Sequence, residues 1–521
     1  MHSEYLPKQI AVPILLVSVC IIAICGILYE LLISTISSYF LGSSVFHFSL
    51  TIGLFLSFMG LGAYISKFLK DENLLNGFIM IEIWLGFIGG ASGSILYSSY
   101  ALTENYYIYA FVLIAIIGTL VGLEIPVLAR IVKHYFDLKE TLAQVLSFDY
   151  LGALIASVIF PLFLLPYLGF LRTSFFIGLL NLTVGIFNLW LFREQIWLWQ
   201  RKLILVGMAF VLYVAGFIYA FGISAYFEQF LYQDEIILTE QSPYQRIVVT
   251  QWKDDIRLYL NGNLQFCAID EYRYHESLVH IPLAATPQVK NVLVLGGGDG
   301  LAVREILKHS KVEKIHVVDL DQAMTDLGRK HHLFKKLNKN AFDSPKVQIF
   351  NQDAHKFLEQ TNNFYDLIII DLPDPNDVNL AKLYTQEFYQ LVSRRLSEFG
   401  AMVTQSSSPF FAREAFWCIN HTLKKVFTNV VPYTVNVPSF GQWGFNMASR
   451  RGLNPPNLIQ QVQTQLFETS PKKEFHFLNK AVIPTLFVFD EDMSEIPTAI
   501  NQLNTQKIVH YYEKGWRKWN D

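Results

Sequence analysis

The chain has 521 residues, 52% of them hydrophobic, and a mean hydropathy of +0.31, which is too apolar for an ordinary soluble protein and long enough for two or three domains. A net charge of −3 leaves no basic footprint for nucleic acid, and the four scattered cysteines (Cys20, Cys25, Cys267, Cys418) form neither a disulfide framework nor a metal-ligand set. The apolar excess lies before about residue 225; the second half has a soluble composition.

In chain order, the first half offers seven apolar runs of bilayer-spanning length: Ala11–Ile33, Val45–Ile65, Gly77–Tyr97, Tyr107–Leu128, Val145–Leu165, Phe175–Phe192 and Leu203–Ile223. The first is long, has no small-residue cleavage site after it and leads into another span, so no cleavable signal is expected. Lys67 and Lys70 follow the second run, Arg130, Lys133 and Lys139 the fourth, and Arg193, Arg201 and Lys202 the sixth, while the other connections carry little beyond Arg172. The expectation is a multi-pass protein of the cell membrane, partnered by the lipid bilayer, with its N-terminus in the cytoplasm. Seven crossings would then deliver the second half to the outside, whereas an even number would keep it in the cytosol; the side of the second half stays open.

Four acids sit in or at the edges of these runs: Glu30, Glu82, Glu124 and Asp149. A carboxylate in hydrocarbon is costly unless it is paired, protonated or facing a wet cavity, and no basic residue lies deep in any run to pair with these. They are candidates either for a site binding an organic cation or for polar contacts between helices near the interface.

From Asp234 to about Pro282 the pattern changes to short alternating strands, with "RIVVT" and "IRLYLNG" joined to a hairpin-type Asn261-Gly262 turn. After Pro287, apolar strands alternate with helices: "NVLVL", a helix from Leu301, "KIHVVDL", a helix near Ala323, "KVQIF", "YDLIIID", a helix through "TQEFYQLVSRRL", and "AMVTQ". This order predicts a parallel, doubly wound α/β sheet of Rossmann-like, methyltransferase type, binding ligands at the C-terminal strand ends. The expected domains are therefore 1–225, helical and transmembrane; 226–285, a small β domain; and 286–521, a Rossmann-like catalytic domain with a C-terminal extension.

Those strand ends are acidic. Asp299 follows the first strand in "GGGDG", Asp319 and Asp321 end the second, Asp353 follows the third, and Asp371, Asp374 and Asp377 follow the fourth. A single Asp before a helix reads as a cap, but several like charges around one cleft are costly unless a cation compensates them. With no His cluster and no phosphate-cradling lysine, an organic cation suits the cleft at least as well as a metal does. Asp319, about 20 residues beyond a glycine-rich turn, fits a ribose acceptor, and Asp299 would repel a pyrophosphate but suit an adenosyl sulfonium.

The segments "SPYQRIVV", "LYLNGNLQFCAIDEYRYHESLVHIPL", "VLVLGGGDG", "VVDLD", "QDA", "YDLIIIDLPDPND", "LYTQEFY" and "PSFGQWGF" resemble, in order, the polyamine aminopropyltransferase (spermidine synthase) family, in its long bacterial form with a multi-span N-terminal region. The resemblance implies decarboxylated S-adenosylmethionine as co-substrate, a diamine acceptor with putrescine foremost, no permanently bound cofactor and no metal. It implies that Gln245, His275 and Asp299 hold the aminopropyl end of the donor, Asp319 its ribose, and Asp353 and Ala354 its adenine. Asp371 matches the catalytic aspartate, assisted by Tyr274, and Asp374 with Gln405 the acceptor site. It also implies a homodimer or higher homo-oligomer, since the small β domain commonly forms the dimer contact. The sequence departs from the family pattern at Asn261, at Leu372 and Pro373, and at Val437 with Phe440 inserted, so spermidine, agmatine and cadaverine stay open as acceptors. The alternatives are a methyltransferase using S-adenosylmethionine on the same fold, and a polyamine transporter or sensor whose second half only binds.

Overall fold

A run of apolar residues that leaves water must close its own backbone hydrogen bonds, and each of the seven expected runs is helical in the computed structural model. The structure describes residues 8–41, 44–103, 105–133, 138–232, 234–468 and 474–520. These fall into two units, Met1–Glu235 and Ile236–Asp521.

The first unit consists of α1 (Lys8–Leu41), α2 (Ser44–Ile65), α3 (Leu74–Leu102), α4 (Tyr106–Val132), α5 (Leu138–Ile159), α6 (Leu165–Leu191) and α7 (Trp199–Leu231). Among the described residues six continuous helical stretches are long and apolar enough to cross a membrane, and the longest, Leu142–Leu191, is not straight. It passes through a π turn at Phe160–Leu164 and breaks at Gly169, whose φ of 69° and ψ of −175° are open to glycine alone. Thr173 Oγ1 consequently donates to the Leu164 carbonyl at 3.2 Å, where nine residues of straight helix would separate them by about 13 Å. Small residues bring the helices close together: a Cβ on Gly122 of α4 would lie 2.0 Å from the Met59 carbonyl oxygen of α2. Tyr29, Leu32, Phe55, Leu85 and Ile117 fill the space between them.

The second unit begins with a four-stranded sheet, in order β1 (Glu235–Gln241), β2 (Arg246–Trp252), β3 (Asp255–Leu260) and β4 (Asn263–Cys267). Asn261 and Gly262 form the expected tight turn, at φ 49° and 80°. After helix α8 (Glu271–Ala285) comes a seven-stranded sheet of β5 (Asn291–Gly296), β6 (Lys314–Asp319), β7 (Val347–Asn351), β8 (Tyr365–Asp371), β9 (Leu396–Gln405), β10 (Asn429–Val437) and β11 (Gly441–Ser449), in the order β10-β11-β9-β8-β5-β6-β7. Strands β5 to β9 are parallel, as expected. The expectation of a wholly parallel sheet fails at one edge, where β11 runs antiparallel to both β9 and β10. Only a short turn separates β10 from β11, too little chain for the crossover that parallel pairing needs.

The expected domain limits also shift. Helix α7 runs on to Leu231, past residue 225. Helix α8 lies within the span assigned to the small β domain, yet its Leu278, Val279 and Ile281 are buried in the core of the seven-stranded sheet. The chain order reverses around β5, flanked by β8 on one side and β6 on the other, so a crevice opens at the C-terminal ends of these three strands.

Candidate active site

The row of seven aspartates divides in two. Asp321, Asp353 and Asp377 cap helices: Asp321 accepts from Ala323 N at 3.0 Å, Asp353 from His355 N at 2.8 Å, and Asp377 from Asn379 N at 2.6 Å. Asp353 also pairs with Lys382 at 3.0 Å. The other four, Asp299, Asp319, Asp371 and Asp374, are half-buried at the strand ends.

The glycine turn makes their approach possible. Gly296 ends β5 at φ 85°, and a Cβ there would lie 2.0 Å from the Asp371 carbonyl oxygen. Beyond it, the Gly298 N–H donates to Asp319 Oδ2 at 3.1 Å, and Asp319 Oδ1 accepts from Asp321 N at 2.9 Å. Asp299 Oδ1 accepts from Leu301 N at 2.8 Å. Burial pushes Asp319 up to about 7 despite these N–H donors. It also carries Asp299 up to about 6, with His275 pulling the other way and Asp371 adding repulsion.

Helix α8 delivers the partners of Asp371. Tyr274 donates its hydroxyl to Asp371 Oδ1 at 2.7 Å. Asp371 is raised by burial, held back by the nearby His275 charge and by the Tyr274 hydrogen bond. His275 pairs through Nδ1 with Glu271 Oε2 at 2.7 Å, one helical turn away. Glu271 in turn receives Arg304 Nη1 at 2.8 Å and Nη2 at 2.9 Å. Burial alone would depress His275, but Glu271, Asp299 and Asp371 lift it to about 9, so it is cationic at neutral pH.

Asp374 lies on the loop after β8. Its Oδ2 accepts from Ser407 Oγ at 3.3 Å, the side chains of Tyr512 and Gln405 turn to the same carboxylate, and its buried Oδ1 has no partner among the described residues. Burial raises it to about 6 against those donors. Gln405 spans the loop, donating from Nε2 to the Leu372 carbonyl at 2.7 Å and accepting at Oε1 from Ser407 N at 2.9 Å. Tyr384 donates to the Pro373 carbonyl at 2.9 Å, so the backbone fixes the stretch where the sequence has Leu372 and Pro373.

Of the residues expected at the site, Tyr274, His275, Asp299, Asp319, Asp371, Asp374 and Gln405 line or brace this crevice. Gln245 Nε2 instead engages Asp321 Oδ2 at 2.9 Å, beside Ser242, tying the small sheet to the neighbour of Asp319. Ala354 is buried at the start of the helix that Asp353 caps. The sequence reading overlooked Glu271 and Arg304, although the i,i+4 spacing of Glu271 and His275 signals a pair. It also passed over Tyr384, Ser407 and Tyr512. Tyr512 comes from the helix Lys507–Asn520, far along the chain, and no local pattern places it at Asp374.

Residues 271–458 match the spermine/spermidine synthase domain. The chain is 45% identical over 508 residues to a polyamine aminopropyltransferase of Leptospira interrogans, covering 97% of this chain and 99% of that protein. It is 41% identical over 509 residues to a polyamine aminopropyltransferase of Oceanobacillus iheyensis, covering 96% of each. A solved spermidine synthase in complex with the transition-state analogue AdoDATO aligns with 53% of this chain and 88% of its own, at 28% identity and a TM-score of 0.46.

Proposed function

The chain belongs to the polyamine aminopropyltransferase family, and we propose that it transfers the aminopropyl group of decarboxylated S-adenosylmethionine to a diamine, putrescine foremost, forming spermidine and methylthioadenosine. The observation that carries this reading is the set of four half-buried carboxylates, Asp299, Asp319, Asp371 and Asp374, around one crevice. A sulfonium carrying an ammonium, and a diammonium beside it, supply the charge such a crevice needs.

The chemistry follows from the placement. Asp319, with one oxygen on each of two backbone N–H groups at the end of the strand beside the glycine turn, is held rigidly and would accept from the donor's ribose hydroxyls. Asp299 attracts the aminopropyl ammonium. The acceptor enters with one ammonium at Asp374 Oδ1 and the other at Asp371. Asp371, raised by burial, takes a proton from that ammonium while Tyr274 fixes its orientation. The freed nitrogen lone pair attacks the methylene next to sulfur, the C–S bond breaks, and its electron pair returns to sulfur. Methylthioadenosine leaves as a neutral thioether, so no oxyanion site is required.

Apolar side chains directed outward support placing the first unit in the cell membrane as a multi-pass anchor: Leu56 is 58% exposed, Val211 68% and Phe221 62%. The deciding assay incubates the purified full chain with decarboxylated S-adenosylmethionine and a panel of diamines. Methylthioadenosine and spermidine are the expected products. No methylthioadenosine with any amine, or S-adenosylhomocysteine formed from S-adenosylmethionine, would overturn the reading.

A further inference from the structure

Within the helical unit, a cavity of about 70 Å³ is lined by residues from α1 to α5, among them Ala23, Phe55, Phe78, Glu124, Asp149 and Ala153. Its walls are otherwise almost wholly apolar. Glu124 is 3% exposed and its Oε1 has no hydrogen-bond partner among the described residues, while its neighbour Glu82 is fully buried with neither oxygen receiving a hydrogen from any described group. The two carboxyl groups lie within hydrogen-bonding reach of each other. Asp149 is half-buried, so the lining carries one acid close to water and one deep inside.

Four of the unit's cations are engaged elsewhere. Arg130 is bound to Asp71 and to the Ser66 and Leu69 carbonyls, Lys202 to Asn76, Lys67 lies over the Tyr64 ring, and Arg193 lies over Trp190. Buried carboxyls without donors are costly unless they are protonated or meet a positive charge, and no Lys, Arg or His is among the residues lining the cavity. Among the described residues no three His, Cys, Asp or Glu are grouped to hold a metal ion. A cavity of about 70 Å³ has room for about two waters, and with walls of methyl and aromatic groups it suits a bare alkyl chain better than a hydrated ion. Glu30 does not line this cavity.

We propose that the helical unit holds a second amine site, in which a linear alkyl diammonium ion lies along the apolar wall with its charged ends toward Asp149 and the Glu124–Glu82 pair. This site is separate from the crevice of the second unit and does not depend on the reaction assigned there.

The test is equilibrium binding of radiolabelled putrescine to the full chain in lipid nanodiscs, without the aminopropyl donor. Two amines bound per chain are expected in the wild type and one in the Glu82→Gln/Glu124→Gln variant, with aminopropyl transfer by that variant within twofold of wild type. Ala153→Leu, which fills the cavity without replacing an acid, should also remove one equivalent. Asp374→Asn should retain the helical site and lose the other. A wild type binding one amine, or a stoichiometry that neither the double variant nor Ala153→Leu changes, overturns the proposal. So does proton release from the acids with no amine uptake. Failure of the transferase assay would leave this stoichiometry unaffected, so the two readings fail separately.

Discussion

Replacing Asp371 by Asn keeps the side chain's shape and an oxygen to accept the Tyr274 hydroxyl, now 2.7 Å from Oδ1, but removes the proton acceptor. A positioned general base contributes about 10²- to 10⁴-fold, and each tenfold is about 1.4 kcal/mol, so kcat should fall by that factor, or about 3–5 kcal/mol. Tyr274→Phe removes only the charge-assisted hydrogen bond, worth about 1.5–3 kcal/mol, and should cost roughly 10- to 150-fold. Because Asp371 is raised by burial and must be ionised to work, wild-type kcat should rise with pH along an acid limb. That limb should vanish in Asp371→Asn. Methylthioadenosine release at saturating donor and amine, from pH 5 to 9, measures both effects, and unchanged thermal unfolding of the variant excludes misfolding. An Asp371→Asn enzyme within tenfold of wild type and with the same acid limb would refute the assignment of Asp371 as base.

Other expectations concern the surrounding groups. Asp319→Asn should raise the donor KM by at least tenfold while leaving the acceptor KM unchanged, as steady-state kinetics with each substrate varied will show. Tyr512→Phe removes a hydroxyl from Asp374, so it should raise the acceptor KM by about tenfold, the equivalent of one hydrogen bond to a charged group, with the donor KM unaffected. Glu271→Gln breaks the buried pair with Arg304 and His275, destabilising the unit by about 3–5 kcal/mol and moving the alkaline limb of activity below the pH of about 9 that His275 sets in the wild type; denaturant unfolding and pH–rate profiles check it. Asp299 (about 6), Asp319 (about 7) and Asp374 (about 6) are all raised above their ordinary values, so the folded state binds more protons than the unfolded one. The stability they contribute is complete below about pH 4 and lost as pH rises through 6 to 7, and the raised His275 adds a further loss through about 9. The melting temperature of the ligand-free second unit should therefore fall from pH 5 to 9, where the contribution of the depressed Glu271 is already complete and constant, and saturating donor should flatten that slope.

The parallel strands β5, β6 and β8 were legible because each is a largely apolar run ending in Gly or Asp, and their acids lie within a few residues of the strand ends. Strands β10 and β11 were not, because "NVVPYTVNV" and "GQWGFNMAS" mix polar and apolar residues, and their pairing with β9 is a long-range property. The reach of α8 into the main core was hidden for the same reason: "EYRYHESLVHIPLAA" carries its charges in the half that faces the crevice and its apolar residues in the half that packs. Nothing local distinguishes Asp371 from Asp377 in "DLPDPND". What separates them is that Asp377 is followed by helix N–H groups that occupy its oxygen, while Asp371 is followed by Leu372 and Pro373, whose carbonyls are held by Gln405 and Tyr384 and which offer no such donor.

The two groups of buried acids in this chain are compensated differently, and the difference bears on what each can do. In the crevice, each of the four carboxylates keeps at least one donor: Leu301 N for Asp299, Gly298 N and Asp321 N for Asp319, Tyr274 for Asp371, and Ser407 for Asp374. His275 supplies a fixed positive charge beside two of them. Partial compensation holds the geometry in the absence of ligand yet leaves net negative charge for two polycations, and it leaves Asp371 basic enough to accept a proton. In the helical unit, among the described residues, Glu82 has no such donor and Glu124 keeps an unpartnered oxygen. A site of that kind has nothing to orient a reaction, but it favours a fitting cation over the protons that would otherwise neutralise the acids. The proposed transfer reaction therefore suits the compensated group, and the proposed amine binding the uncompensated one.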